Sequence, residues 1–272
     1  MSSYLSQFNY QLYGNSENKK IVFLHGLMGY GLNFRTIAQR LSDQYQILCF
    51  DQRGHGKSIK PATGYAPKDY AEDLMLILQE LDWKKINLIG HSMGGRNALS
   101  FSYHFREYLE KLVVVDIGPD SRPEASTYYK NLLDLVPTPF RSKQEAKSFF
   151  LNDFKLKAQK FDQPETLGSY LYSNLIEDAH GQATWRFSKE AMIETVTLGR
   201  AQDHWREIQL LNLPTLWIRG ANSKDLTDSE YKKILLSNSH IQGVVISNAG
   251  HWVHVDQPDI FVDEIKKFTS CS

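Results

Sequence analysis

The sequence predicts an α/β fold in which a mostly parallel β-sheet is interrupted by a helical insertion. In the first half of the chain, and again near its end, short apolar segments alternate with segments of helical spacing. Nearly continuous apolar segments are typical of strands that are buried on both faces of a parallel sheet. Strands that alternate with helices predict βαβ units joined by right-handed crossovers.

The alternation also predicts how the chain is divided. The segments that predict strands are 20–26, 45–51, 85–90, 111–118, 214–220 and 243–250. The segments that predict helices between or after them are 32–43, 68–82, 93–106, 228–237 and 258–268. The stretch 119–210 instead contains several helical segments, one of them over 165–179, and no convincing strand. We therefore predict a core formed by residues 1–118 and 211–272, with residues 119–210 inserted as a helical cap, or lid.

The composition argues against several classes of partner. Lys and Arg together number 31, as do Asp and Glu, so the formal net charge is zero. A nucleic-acid or anionic-membrane surface needs a basic excess, and none exists overall. The first residues do not resemble a signal peptide, and no stretch approaches the roughly 18 apolar residues that span a bilayer. We predict a cytoplasmic protein, a monomer or weak dimer, with no nucleic-acid partner and no membrane span.

The two cysteines do not suggest a disulfide framework. Cys49 lies in an apolar segment and is predicted to be a buried thiol, whereas Cys271 lies one residue from the end of the sequence. Such positions are typical of a protein in a reducing compartment.

The sequence GHSMGG, residues 90–95, contains the pattern G-x-S-x-G centred on Ser92. A predicted strand precedes this serine and a predicted helix follows it, which is the context that a nucleophile elbow requires. Such a turn lifts the serine hydroxyl clear of the sheet, and Gly90, Gly94 and Gly95 allow the neighbouring backbone to approach closely. The alternative is an ordinary glycine-rich turn between a strand and a helix.

A serine hydroxyl is a weak nucleophile and needs a base, which in turn needs an acid to orient it. His251, in NAGHWVHVDQP, follows the last predicted strand and is the best candidate for the base, because it returns to the sheet edge where Ser92 lies. His254 is the alternative, but it lies one helical turn further on, beside Asp256 and Gln257, and a packing or capping role suits it better.

Two aspartates are candidates for the acid. Acids of such sites often follow the strand after the insertion in a G-x-x-D pattern, but that strand ends RGANS, so Ser223 occupies the expected position. Asp225 comes two residues later, and we expect it to lie on the exposed side of its loop. Asp116 ends the apolar segment KLVVVD, where a lone charge needs a partner, and it is the preferred acid. The alternative role for Asp116 is a cap for the turn at Gly118.

Acyl transfer also needs donors for the developing oxyanion. We predict the backbone N–H of Met93, which follows the nucleophile at a helix N-terminus, as one donor. The second is expected in the loop after an early strand, where the sequence HGLMG over 25–29 predicts the N–H of Leu27. Neither side chain supplies the hydrogen bond.

The remaining motif residues have mainly structural interpretations. The segment DQRGHGKS, residues 51–58, is predicted to be a turn that holds Asp51 and Arg53 in a buried charge network. His25 and His91 flank the motif glycines and are predicted to be structural, while His55 lies in a different turn. Arg96 follows the nucleophile on its helix, where it is either paired on the surface or faces an anionic substrate group.

Together these motifs resemble the α/β-hydrolase superfamily along nearly the whole chain. The segments that carry the resemblance are HGLMG, DQRGHGKS, GHSMGG and AGHWVHVDQP, in the order of that superfamily. VVVDIGP, TWRFS and RGANS are more narrowly similar to the YbfF-type bacterial esterase and acyl-CoA thioesterase group and its abhydrolase-domain relatives. The resemblance implies an eight-stranded, mostly parallel sheet with helices on both faces and a helical cap. In at least some members of that group the acid follows the strand before the cap, which agrees with Asp116.

The motifs and the resemblance favour a serine hydrolase that acts on small-molecule esters or thioesters, including acyl-CoA, and needs no cofactor or metal. The alternatives are a lyase like MenH, which the run MGGR resembles, a C–C hydrolase on the same scaffold, or a ligand-binding protein without catalysis. We expect two or three aromatic side chains of the cap to contact the substrate. The candidates are Tyr128, Tyr129, Phe149, Phe150, Phe154, Tyr170, Tyr172, Trp185 and Phe187.

Overall fold

A computed structural model describes residues 3–161 and 164–270. Its strands are β1 Tyr10–Tyr13, β2 Lys19–Leu24, β3 Tyr45–Phe50, β4 Ile86–His91, β5 Leu109–Val115, β6 Leu175–Glu177, β7 Ala183–Trp185, β8 Thr215–Gly220 and β9 Ile241–Ile246. Seven of them form one sheet in the order β1-β3-β2-β4-β5-β8-β9, and β6 pairs with β7. Only β1 runs antiparallel to its neighbour in the main sheet, so the predicted mostly parallel sheet is confirmed.

Helices pack on both faces of this sheet, and others form the inserted region between β5 and β8. They are α1 Arg35–Leu41, α2 Pro67–Glu80, α3 Met93–His104, α4 Ala125–Asp134, α5 Lys143–Asn152, α6 Phe154–Lys157, α7 Pro164–Ser173, α8 Lys189–Arg200, α9 Trp205–Gln209, α10 Asp228–Ser237, α11 Val253–Asp256 and α12 Pro258–Ser270. Short 3-10 helices cover Leu5–Gln7, Gly31–Phe34 and Arg106–Tyr108. Leu74 of α2 and Leu99 of α3 are buried in the core on one face, and Ile37 of α1 and Phe261 of α12 in the core on the other.

All six strands predicted from apolar segments are present, but the sheet differs from the expected eight strands. It contains seven among the residues that the structure describes. Strand β1 had no sequence signal, because it is an edge strand whose residues remain largely exposed and therefore show no apolar run. The chain before β1 forms the 3-10 helix Leu5–Gln7 rather than a further strand.

The inserted region between β5 and β8 is mainly helical, as predicted, but the expectation that it holds no strand is wrong. Strands β6 and β7 form an antiparallel hairpin within it, and β6 lies in the segment 165–179 that helical spacing assigned to a helix. Helix α7 ends at Ser173, and the Asp178 carboxylate then accepts hydrogen bonds from the backbone N–H groups of His180 and Gln182. This Asx-type turn, completed by Gly181 at a φ of 76°, reverses the chain and closes the hairpin.

The inserted region has an apolar core of its own, which reaches down to the sheet. Leu132, Leu171 and Met192 of this region share one buried cluster with Met28 and Met93, which follow the carboxyl ends of β2 and β4. The insertion therefore covers the edge of the sheet at which the candidate residues lie. Within residues 3–161 and 164–270, no helix is long and apolar enough to cross a membrane.

Candidate active site

Ser92 lies in the sharp turn between β4 and α3, as its sequence context predicted. Its backbone has a φ of 55° and a ψ of −119°, a conformation that is strained for a residue with a side chain. The backbone N–H of Ser92 donates a hydrogen bond of 2.9 Å to the carbonyl of Val115, at the end of neighbouring β5. This bond fixes the turn against the strand that leads into Asp116.

The glycines around Ser92 are required by close backbone contacts, as expected. A Cβ atom on Gly90 would lie 2.2 Å from the carbonyl oxygen of Gly94, and one on Gly94 would lie 2.2 Å from the carbonyl oxygen of Leu24. No side chain fits at such distances, because the atoms in the way belong to the backbone and not to a flexible side chain. Helix α3 can therefore start directly against β2 and β4.

The structure brings His251 and Asp116 into direct contact. Asp116 follows β5 and is fully buried, and His251 lies in the loop between β9 and α11. The His251 Nδ1–H donates a hydrogen bond of 2.9 Å to Oδ2 of Asp116. In this tautomer Nδ1 carries the proton and Nε2 is free to accept one, as a general base requires.

The Asp116 carboxylate has two further donors. The backbone N–H of Gly220 donates to Oδ1 at 2.9 Å, and the Ser223 hydroxyl donates to Oδ2. Because three donors surround it, the carboxylate is held in one orientation. The role of Asp116 as a cap for the turn at Gly118 is not what this geometry shows, since the carboxylate faces His251 instead.

Asp225 is closer to His251 than the sequence suggested. The side chain is about 42% exposed, yet its Oδ2 atom lies 3.4 Å from Nδ1 of His251. Asp225 is thus partly exposed, in line with the expected exposed side of its loop, but its carboxylate also reaches the imidazole. The cause is a tight turn after β8, in which the Asp225 N–H donates to the Ser223 hydroxyl at 3.2 Å and so keeps the two side chains together.

Opposing effects act on the pKa of His251. Burial disfavours the imidazolium and lowers the pKa, whereas the charge of Asp225 and the hydrogen bond and charge of Asp116 raise it. The two carboxylates prevail, so the pKa of His251 lies above its ordinary value of 6.5. A proton taken up by this imidazole is thus stabilised by the site.

Two further histidines, His91 and His254, lie close to His251, and His91 bonds to its backbone. The Nε2–H of His91, the residue before Ser92, donates a hydrogen bond of 2.8 Å to the carbonyl of His251. His254 is buried and stacks on Phe34 with ring centroids 4.5 Å apart, as the packing interpretation expected. Burial and the nearby His251 lower the pKa of His254 to about 3, which keeps it neutral at ordinary pH.

A cleft opens above the turn of Ser92. Leu27, Ser92 and Met93 all line it, so the two residues predicted to supply the oxyanion donors lie around the same space as the serine. Of the nine aromatic candidates that the sequence suggested in the insertion, Tyr129 lines this cleft. Most of the others belong to the apolar core of the inserted region or pack against it. That two or three of the nine contact the substrate stays a prediction.

The loop that carries Leu27 is supported by two buried histidines. The N–H of Met28 donates to Nε2 of His55 at 3.2 Å, and the N–H of Gln52 donates to Nε2 of His25 at 3.0 Å. Gln52 itself lies in the loop after β3, and its Oε1 atom accepts a hydrogen bond of 2.8 Å from the side-chain amide of Asn97. This bond ties the loop after β3 to α3, the helix that follows Ser92. The structural interpretation of His25 is therefore consistent with its contacts, and His55 has a supporting contact as well.

Asp51 and Arg53 belong to two separate networks and not to the single one expected. Asp51 accepts hydrogen bonds from the backbone N–H groups of Gly31 and Lys57. Arg53 forms a bidentate ion pair with the buried Asp73 of α2. Both residues hold loops in place, and neither lines the cleft.

Among the described residues, no group of three or more His, Cys, Asp or Glu side chains is arranged to hold a metal ion. Cys49 is buried, as predicted, and burial raises the pKa of its thiol far above the ordinary value, so it stays protonated. Cys271 lies outside the residues that the structure describes.

The fold, with its strand-turn-helix at Ser92 and its helical insertion after β5, places this chain in the class of α/β hydrolases. The family model of the alpha/beta hydrolase fold matches residues 19–258, so the chain belongs to the α/β-hydrolase family, and it is a hydrolase. The resemblance stated from the sequence is thereby confirmed.

Three comparisons illustrate the similarity. The chain is 29% identical to the mouse sn-1-specific diacylglycerol lipase ABHD11 over 94% of this chain and 82% of that protein. It is 26% identical to the Escherichia coli esterase YbfF over 92% of this chain and 93% of that protein. The solved structure of a marine microorganism esterase superposes with a TM-score of 0.81 at 26% identity, covering 96% of this chain and 98% of that one.

Proposed function

We propose that this hydrolase cleaves carboxylic ester or thioester bonds of small molecules through a Ser92–His251–Asp116 triad. The hydrogen bond between His251 and Asp116 is the observation that carries the proposal, since it fixes the imidazole in the tautomer of a base. Relatives named as an esterase and as a diacylglycerol lipase support the class of bond.

In the first half of the reaction, the Ser92 Oγ attacks the carbonyl carbon while Nε2 of His251 takes its proton. The oxyanion that forms is held by the backbone N–H groups of Leu27 and Met93, the latter at the N-terminus of α3. The imidazolium is stabilised by Asp116, and it then protonates the leaving alcohol or thiol as the bond to it breaks. The product of this half is an acyl group on Ser92.

In the second half, water attacks the acyl group and gives a proton to His251. The second oxyanion collapses, the bond to Ser92 breaks, and the imidazolium returns its proton to the serine. Water is the only further reactant. Residues 119–210 act in this proposal as a cap that covers the cleft above the core formed by residues 1–118 and 211–272.

The steady-state hydrolysis of a graded series of 4-nitrophenyl esters and acyl-CoA thioesters tests this proposal. We expect turnover of at least one series, and a loss of roughly 10⁴-fold or more in kcat in Ser92→Ala, as is typical of a triad nucleophile. Ser102→Ala is the matched control, because Ser102 lies on the same helix but its hydroxyl bonds only to the helix carbonyl of Leu99. Turnover of Ser92→Ala within tenfold of the wild type would refute the proposal.

A further inference from the structure

The cleft above Ser92 contains two guanidinium groups that the proposed triad does not use. Arg96 lies on α3, one turn after Ser92, and Arg200 is the last residue of α8 in the inserted region. Both line the cleft together with Ser92. Removing a cation from water into an apolar cleft costs desolvation free energy, unless an anion or a hydrogen-bond acceptor pairs with the cation.

Arg96 is buried, so the surface-paired alternative from the sequence is wrong. Its Nη1 donates to the carbonyl of Gly199 at 2.9 Å, and its Nη2 donates to the carbonyls of Gly118 and Asp120 at 2.7 and 3.0 Å. These neutral acceptors tie the sheet edge to the inserted region but supply no counter-charge. The Nε atom is buried and has no hydrogen-bond partner among the described residues.

Arg200 is less satisfied than Arg96. Its Nη1 atom is also buried without a hydrogen-bond partner in the described part of the chain. Leaving such a donor unpaired in the interior is unfavourable, and more so for a charged group. This cost is removed if an acceptor enters the cleft.

The carboxylates whose charges act on Arg200 or Arg96 each have a contact elsewhere. Glu230 forms an ion pair of 3.1 Å with Arg122, and Asp225 lies 3.4 Å from the imidazole of His251. The Asp120 carboxylate accepts from the indole N–H of Trp205 at 2.7 Å. Three carboxylates are thus close to the arginines, but each has a contact of its own with another side chain.

The charge of Arg200 is maintained despite its surroundings. Burial and the neighbouring Arg122 outweigh the charges of Tyr129 and Asp225, so the pKa of this guanidinium is lowered from its ordinary value. The C-terminus of α8 favours a cation, and a guanidinium remains protonated at neutral pH. An anion in the cleft would therefore meet a fixed and incompletely compensated positive charge.

We propose that the cleft binds esters carrying a second, ionised carboxylate, and that Arg200, backed by the charge of Arg96, receives it. This inference rests on the proposed function, because it places the scissile carbonyl at Ser92. Met93 and Val196 also line this cleft, and their apolar side chains suit a short hydrocarbon spacer. A planar guanidinium binds a carboxylate through two parallel hydrogen bonds, so the charge also orients the substrate.

Matched esters test the charge requirement and show which part of the substrate carries it. For the acyl side, 4-nitrophenyl hemiglutarate is compared with 4-nitrophenyl pentanoate. For the leaving group, 4-carboxyphenyl pentanoate is compared with 4-carbamoylphenyl pentanoate, its neutral amide analogue. We expect the wild type to prefer the anionic member of one pair by roughly 10- to 100-fold in kcat/KM, as a charge-assisted hydrogen bond implies. No preference in either pair would overturn the proposal.

Arg200→Gln provides the second readout. We expect the ratio of kcat/KM for the anionic and neutral esters to fall to about one, whereas Arg141→Gln, at a largely exposed position, keeps the wild-type ratio. A ratio that is unchanged in Arg200→Gln contradicts the role of this residue, whatever the absolute rates. Far-UV circular dichroism and thermal unfolding show whether each variant is folded.

A binding experiment separates this inference from the proposed function. Isothermal titration calorimetry measures glutarate, and pentanamide as the neutral control, against Ser92→Ala with and without Arg200→Gln. We expect glutarate to bind at least about tenfold more tightly when Arg200 is present, even if no ester is hydrolysed. Equal binding of glutarate with and without Arg200 would overturn the anion site while leaving the esterase proposal untouched.

Discussion

Nδ1 of His251 lies 2.9 Å from Oδ2 of Asp116, although 135 positions separate the two residues in the chain. The parallel sheet explains the contact. Asp116 follows β5, His251 follows β9, and only β8 lies between these two strands, so their carboxyl ends meet at one edge. The loop after β8 adds Ser223 and Asp225 at the same place, which puts two carboxylates beside one imidazole.

The two carboxylates are predicted to contribute unequally. In Asp116→Asn, an amide replaces the buried acceptor of His251, so the imidazole loses both its charge partner and the preference for the right tautomer. We expect kcat to fall by about 10³–10⁴-fold. In Asp225→Asn the loss should stay below about tenfold, because this carboxylate is more distant and 42% exposed. Steady-state kinetics of both variants on one ester measure the difference.

The reverse pattern of losses in kcat would assign the orienting acid to the other aspartate. A large loss in Asp225→Asn together with near-normal turnover in Asp116→Asn would make Asp225 the orienting acid. It would also reduce Asp116 to a structural residue, for which Asn is a tolerated cap.

The pH profile of kcat/KM should show an acid limb set by His251. The base must be neutral to accept the serine proton, so activity falls as the pH drops through a pKa that is raised above 6.5. Because the charge of Asp225 contributes to that shift, Asp225→Asn should move the limb to lower pH. Asp82→Asn, at an exposed position before the amino end of β4, should leave the limb unchanged.

This prediction fails if the limb of Asp225→Asn coincides with that of the wild type, or if it moves to higher pH. A second check uses the other histidine of the loop. His251→Ala should remove the activity, and if His254→Ala proves the more damaging change, the base has been assigned to the wrong residue.

The fold was predictable where burial leaves a pattern in the sequence. Strands such as β4, whose residues are all buried, read as apolar runs, and the segment 85–90 matches that strand closely. Strand β1 has exposed residues and so left no run, while the hairpin strands β6 and β7 are only three residues long. Such short strands are determined by a turn and by packing against the inserted helices, which a periodicity analysis does not detect.

The candidate site was predictable to the level of its residue types and their order. The glycines around Ser92 and the lone charge of Asp116 both have local physical causes that a sequence displays. The position of Asp225 depends on the path of the loop after β8 and on the hydroxyl of Ser223, which are properties of the folded chain. Arg200 was not singled out, because its helix reads as an ordinary amphipathic segment with a basic last turn.

Acid should destabilise the protein through His254. The buried imidazole has a pKa lowered to about 3. Below pH 6.5, the ordinary pKa of histidine, the unfolded chain therefore binds a proton at His254 that the native state does not bind. The contribution of neutral His254 to the free energy of unfolding is therefore complete above pH 6.5. It is lost as the pH falls from 6.5, by about 1.4 kcal/mol for each pH unit. Urea unfolding at pH 7.5 and 5.0 should show a loss about 2 kcal/mol smaller in His254→Phe than in the wild type.

His180→Gln is the control for this experiment, because His180 is exposed in the inserted region. Its loss of stability between the two pH values should equal that of the wild type. If His254→Phe loses as much stability as the wild type, His254 does not remain neutral in the native state.

The central claim is that Ser92 is the nucleophile and carries the acyl group. The most direct measurement is covalent labelling with a fluorophosphonate, followed by intact-mass and peptide mass spectrometry. We predict one adduct per chain, located on Ser92, a labelling rate that falls in His251→Ala, and no adduct in Ser92→Ala. An adduct located on another residue, or an unlabelled wild type that still hydrolyses esters, would contradict the account.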